Sequence, residues 1–234
     1  MNSLSRCSSS LDALLIGMVL IASAANASSN PAKHRGLQHC ADGSAIVAGA
    51  EEQDFADICQ GVAEAFKFFV SHAVRPTEAV TIEVSKTIPA EAGPTAAGCY
   101  IEQKRRVFVL PYNAFRRYKT WFGVPIDRAI YRALATHEAA HAVAACNFRI
   151  RNPTIQAKEY LAYAATLSSL PPRIRSRALR ATPPQGFDSL ERFRPMLYMV
   201  DPMRFGAEAY RHYAMASDPS SVVHAILSGE ALSD

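Results

Sequence analysis

The sequence predicts an α+β fold: a small, mostly antiparallel sheet with an N-terminal helix, followed by a mainly helical part. Three observations carry this. Residues 51–72 repeat apolar side chains (Phe55, Ile58, Cys59, Val62, Phe66, Phe69) at three- and four-residue steps, the period of an amphipathic helix. Residues 80–88 alternate apolar and polar side chains, the period of a half-buried strand. From Pro111 onward the chain turns to alanine-rich, helix-forming runs separated by prolines.

The 234 residues suit one domain, and 49% apolar content is enough for a substantial core, while 20% charge argues against disorder. A net charge of +4 is mild. The nearest thing to a basic cluster, Arg173, Arg175, Arg177 and Arg180, lacks interleaved aromatics and reads as a solvated helix face, so no nucleic-acid partner is expected. Residues 1–27 read as a signal peptide: Arg6 is followed by an apolar stretch at 13–22, too short to span a bilayer, and then by Ala25-Asn26-Ala27, an A-x-A cleavage pattern. The mature chain, 28–234, is then a single domain that is secreted or periplasmic, with no stable membrane span. Export leaves Cys40, Cys59, Cys99 and Cys146, an even set suited to two disulfides. Three pairings are open. Cys40–Cys59 with Cys99–Cys146 is preferred because each joins segments expected to pack together.

Residues 28–39 form a loose leader. After the helix at 51–72 and the strand at 80–88, a Pro/Gly/Ala loop leads to two more strands, 99–102 and 107–110, joined by a short turn at 103–106. Pro125 occupies a first-turn position and Asp127 favours the N-terminus of the next helix. Along it Ile126, Ile130, Leu134, His137, His141, Ala144 and Phe148 form one inward stripe. A further helix starts after Pro153, capped by Thr154, and runs to about Ser169. Pro171-Pro172, Pro183-Pro184, Asp201-Pro202 and Asp218-Pro219 divide the remainder into shorter helices.

The chemistry lies in His137-Glu138-Ala139-Ala140-His141. On a helix the two histidines project from one face a turn apart, and Glu138 is rotated roughly 100° away, near enough to act on a metal-bound water without being a ligand. Catalytic zinc takes three protein ligands and keeps a fourth position open. A third histidine in the pattern H-E-x-x-H-x-x-G-x-x-H is excluded, because those places hold Ala144 and Asn147. A glutamate from the next helix is the other solution. Glu159 sits eighteen residues after His141, on a face shared with Ile155, Ala162 and Thr166. Glu191 and Glu208 are more distant substitutes. His34, His39 and His72 read as incidental.

These residues resemble the thermolysin-like zinc metallopeptidases of the gluzincin type, which carry HExxH on one helix and a Glu in an E-x-x-A or E-x-x-D element on the next. His137, Glu138, His141 and Glu159-Tyr160-Leu161-Ala162 match position by position. The chain is also similar to small exported bacterial proteins classed as zinc peptidases. The resemblance covers roughly residues 98–166. It departs at Tyr163, where such enzymes often carry an Asp that orients a ligand histidine. It implies a zincin-like domain that hydrolyses a peptide or protein substrate, with Zn2+ held by His137, His141 and Glu159 and with Glu138 as general base. It also implies a Tyr or His that stabilises the oxyanion, for which Tyr198, Tyr210, His212 and His224 are candidates, Tyr210 and His212 foremost. Residues 107–110 are the expected edge strand for substrate backbone. Two other readings stand beside it: a zinc-binding envelope protein without turnover, serving as a binding or assembly module, and a disulfide-stapled structural protein with no metal.

Overall fold

Five strands form one sheet in the order β1-β2-β3-β5-β4, where β1 is Gln38–His39, β2 Ala45–Ala48, β3 Val80–Val84, β4 Gly98–Ile101 and β5 Arg106–Val109. The computed structural model describes residues 36–184 and 189–233, all within one unit spanning 35–234. The signal segment 1–27, its cleavage point at Ala27 and His34 lie outside the described residues. The α+β class holds, but the sheet is mixed rather than mostly antiparallel. β2 pairs with β3 and β3 with β5 in parallel, while β1 and β4 flank them antiparallel. The cause is β2, a four-residue strand too short to register as a period in the sequence. With β2 in place, α1 (Glu52–Ser71) becomes a crossover between two strands rather than a helix ahead of the sheet, and a crossover joins parallel neighbours. The same order makes β5 an interior strand. The expected edge at 107–110 is therefore wrong: β4 is the outer strand on that side.

After β5 come α2 (Tyr112–Phe115) and a separate hairpin of β6 (Thr120–Trp121) and β7 (Val124–Pro125). The remaining helices are α3 (Arg128–Asn147), α4 (Ile155–Ser169), α5 (Pro172–Ala181), α6 (Pro195–Val200), α7 (Pro202–Met215) and α8 (Pro219–Ser228). Asp127 caps α3 by accepting the Ile130 N–H at 2.9 Å, so the helix begins after it and Pro125 belongs to β7 instead of the first turn. Thr154 caps α4 as expected.

α3 is the central helix, packed against α1, α4 and the β4–β5 side of the sheet. Two devices set its position on α1. Asp54 and Asp57 are buried and meet Arg128 and Arg132, with Asp57 receiving Arg132 Nη1 at 2.8 Å and Arg128 Nη1 at 3.0 Å. One turn further, Gly61 lets the helices touch: a Cβ there would lie 2.4 Å from the Arg132 carbonyl and 2.7 Å from Ala135 Cβ. Thr136, the residue before His137, donates its hydroxyl to the Gly61 carbonyl at 2.9 Å. The register of the histidine helix is thus fixed from α1.

Cys40 and Cys59 form a disulfide that ties the start of the sheet to α1 across 19 residues, a closure that stabilises by about 3 kcal/mol through the unfolded chain. Cys99 and Cys146 do not pair. Cys146, in the last turn of α3, donates its thiol to Glu78 at 3.2 Å beside Arg105, whereas Cys99 in β4 lines the groove near Glu138. No helix among the described residues is long and apolar enough to cross a membrane.

Gly61→Ala forces α1 and α3 apart and destabilises the fold by about 1–3 kcal/mol. Urea unfolding measures it, and an unchanged midpoint would show that the close helix contact is dispensable.

Candidate metal centre

A helix that is buried nearly all round places its polar residues where they must find partners. In α3 Thr136, His137 and Glu138 are all below 8% exposed, among alanines that let neighbouring elements approach. His137 and His141 point toward α4, from which Glu159, itself 5% exposed, faces them. The two Nε2 atoms are 3.2 Å apart, and the Glu159 oxygens lie 3.5 Å from each. A tetrahedral ion bound about 2.0–2.1 Å from each donor sets those donors about 3.3 Å apart. The three side chains form a group able to hold a metal ion, and their spacing fits one. Glu159 Oε2 adds a second sign of fit: it is a buried carboxylate oxygen with no hydrogen-bond donor, a costly arrangement that a cation relieves. Glu159, the residue expected as third ligand, stands opposite both imidazoles. Glu191 is exposed on a separate turn, and the buried Glu208 receives Arg211 Nη1 at 2.7 Å.

The group that orients the first histidine is Thr166, two turns beyond Glu159 on the same face of α4. Its hydroxyl donates to the Ala162 carbonyl at 2.6 Å and so accepts from His137 Nδ1 at 3.2 Å. That fixes the proton on Nδ1 and leaves the Nε2 lone pair for a metal. This answers the missing Asp at 163. Tyr163 instead packs its ring 4.6 Å from the His137 ring. The sequence had placed Thr166 on the Glu159 face, but nothing in a lone threonine marks it as a histidine's acceptor.

Electrostatics separate the two carboxylates. Burial alone would raise Glu159, but His141 and His137 outweigh it and hold its carboxyl below the usual range. At Glu138 burial prevails. Burial pushes it up to about 7, with the charge of Glu159 reinforcing the shift and His137 opposing it. Burial also depresses His141 to about 4, so this imidazole stays neutral near neutrality. His137, buried too, is raised by its contact with Glu159 and by the charge of Glu138.

The site opens on a groove of about 670 Å3 between β4, the β6–β7 hairpin, α3 and α4. Glu138 and Glu159 both line it, and so does Tyr198 from α6, whose hydroxyl bonds the Glu159 carboxylate. Gly98 of β4 is why the strand reaches this far: a Cβ there would lie 2.7 Å from Glu138 Oε1. Of the four tyrosine and histidine candidates, only Tyr198 is at the groove. His212 Nδ1 takes the Tyr160 hydroxyl at 2.7 Å, Tyr210 lies under Arg175, and His224 Nε2 bonds the His72 carbonyl at 2.8 Å. The preference for Tyr210 and His212 is therefore corrected, since both face helix packing. His72 is not incidental either: its ring nitrogens join Ser220 on α8 and Tyr213 on α7, a clamp between helix ends.

Thr166→Val removes the acceptor that fixes His137 and lowers metal affinity by about tenfold or more; competition against a chelator reads this, and unaltered affinity would sink the assigned role. For Glu138, the folded carboxyl holds its proton up to about 7 against 4.5 in an open chain, so stability present below pH 4.5 is lost as pH rises to about 7. Glu138→Gln avoids that loss. Chelator-treated wild type and variant should match in stability near pH 4.5 and diverge, by up to about 3 kcal/mol in favour of the variant, above pH 7. Parallel stability curves would contradict the shift.

Comparison with known proteins finds no match among curated proteins and none among solved structures. The sequence profile of a family described as a family of unknown function, DUF6639, matches residues 45–234, a span that contains β2 through α8 and every residue of the metal group and its groove. The chain belongs to that family, DUF6639.

Proposed function

We propose that this protein is an exported zinc-dependent peptidase. The observation that carries the reading is the placement of Glu138: a buried carboxylate that is not one of the three metal-binding side chains, lining the same groove beside an outer strand. Two imidazoles and one carboxylate are a donor set suited to catalytic zinc. His137, His141 and Glu159 would hold that zinc, which when bound would supply a lowered pKa for water and a polarised carbonyl.

The chain's own residues supply the rest. Glu138 accepts a proton from the attacking water and carries it to the leaving amine, a task suited to a carboxyl whose pKa lies near 7. Tyr198 lines the groove beside Glu159, and its hydroxyl, turned from that carboxylate to the substrate, is the donor for the developing oxyanion. The Ala97 carbonyl accepts the Leu110 N–H at 2.9 Å, so alternation turns the backbone of Gly98 away from β5 and toward the groove. An extended peptide adds there as a further strand, which holds its backbone against the site. The Cys40–Cys59 disulfide supports an oxidising compartment, consistent with export.

The test combines metal analysis with cleavage of a peptide library. The purified chain should carry about one zinc per molecule and cut peptides, and Glu138→Gln should keep the zinc while losing about 100-fold or more of the rate. A chain without stoichiometric metal overturns the reading. Zinc retained in two equally inactive proteins overturns the peptidase and leaves a metal-holding binding module.

A further inference from the structure

The β6–β7 hairpin stands apart from the main sheet and carries the chain's single tryptophan, Trp121. Its turn residues, Phe122 and Gly123, have φ of 51° and 65°, the left-handed pair of a two-residue type I′ turn. A bulky Phe is rare in that conformation. Lys119, just before the hairpin, has φ 68° and ψ −51°, the strained region of the uncommon γ-turn. Strain of this kind persists only where the surroundings over-determine it, and it clusters at ligand sites. Here Phe122 is 2% exposed, set edge-on to Tyr163 at 5.7 Å, and the Ile126 N–H closes the ribbon on the Lys119 carbonyl at 3.0 Å.

What this anchoring secures is the position of Trp121. The indole is half-buried, edge-on to the His137 ring at 6.1 Å and to Phe115 at 6.1 Å, and it lines the groove in front of the metal group. The charged residues that line the same groove away from the centre, Glu91, Glu102 and Lys158, come from other elements, and the wall formed by 115–123 contributes none. We propose that Trp121 is a specificity-determining residue: it walls the subsite for the substrate side chain beside the bond that is cut, and selects a large apolar side chain, aromatic above aliphatic. The proposal rests on the peptidase reading. An indole edge or face pairs with an aromatic ring at centroid separations of about 4.5–7 Å and gains beyond plain burial. A small or charged side chain gains neither.

The hydroxamates of N-formylphenylalanine and N-formylalanine test this on the zinc-loaded protein, because both present the same metal-binding group and differ only in side chain. The phenylalanine compound should bind at least about tenfold tighter by calorimetry, as a large apolar side chain buried in a subsite requires. It should also shift the emission of the only tryptophan, where the alanine compound does not. Trp121→Ala should bring the two affinities to within about twofold, and Trp121→Phe should retain most of the preference. If Trp121→Ala fails to hold zinc, Trp121→Leu replaces it, and its preference must move from the phenylalanine toward the N-formylleucine compound. Equal affinities in the wild type, or a preference that survives removal of the indole, overturns the proposal. Binding is read here, not turnover, so failure of the peptidase reading shows separately as the absence of Glu138-dependent cleavage.

Discussion

The contact between α3 and α4 at Glu159 is the constraint on which the rest of the structure depends. It brings a carboxylate and two imidazoles within 3.5 Å of one another at the floor of the groove. Such a contact is possible only if both helices are held in register. On one side α1 supplies that register, through the Asp54 and Asp57 pairs with Arg128 and Arg132, the Gly61 approach and the Thr136 bond. On the other side α7 and α8 pack on α4, and Thr154 at its N-terminus bonds the Leu232 carbonyl. Helices far from the chemistry are in this sense part of the site.

Within that frame the two glutamates acquire opposite characters from their surroundings alone. Glu159 faces both imidazoles, so its ionised form is favoured in spite of burial. Glu138 is one residue along α3 from His137 but turned toward β4, where burial favours the protonated form. Two buried carboxyls whose affinities for a proton are pushed apart are suited to different tasks, one to hold a cation and one to move a proton. The approach of Gly98 sharpens the contrast, because a side chain there would displace the Glu138 carboxyl from its place at the groove.

Much of this was legible in the sequence, and what was not has a physical explanation. The 3.6-residue period exposed α1 and α3, and Thr154 marked the start of α4, because helix periodicity and capping are local signals. The HExxH spacing and the step to Glu159 pointed to the three side chains that the fold gathers into one group. The parallel core of the sheet was hidden because β2 spans only 45–48, and strand direction is a long-range property set by what the chain crosses over. Thr166 and Trp121 were given no role, and Tyr198 was ranked behind Tyr210 and His212, for the same reason. Each of the three acts through a contact made by folding, with His137, the groove and Glu159 in turn, and none has a spacing that reports it. The Cys99–Cys146 expectation failed because packing of neighbouring segments does not fix where two thiols point, and Glu78 captures one of them.

The energetics of the cluster bear on why a protein would keep it. His137, Glu138 and Glu159 are buried together, and Glu159 Oε2 has no donor, so the arrangement is expensive for a fold that could fill the same space with apolar side chains. A purely structural chain would gain by such a replacement. A cation held by His137, His141 and Glu159 would reverse the sign, because it would offset the orphan oxygen and would favour the folded state over the open chain. Its binding free energy is then added to folding stability. The cost built into α3 and α4 is one that a bound cation would offset, whereas a disulfide-stapled scaffold without a metal gives no reason for it.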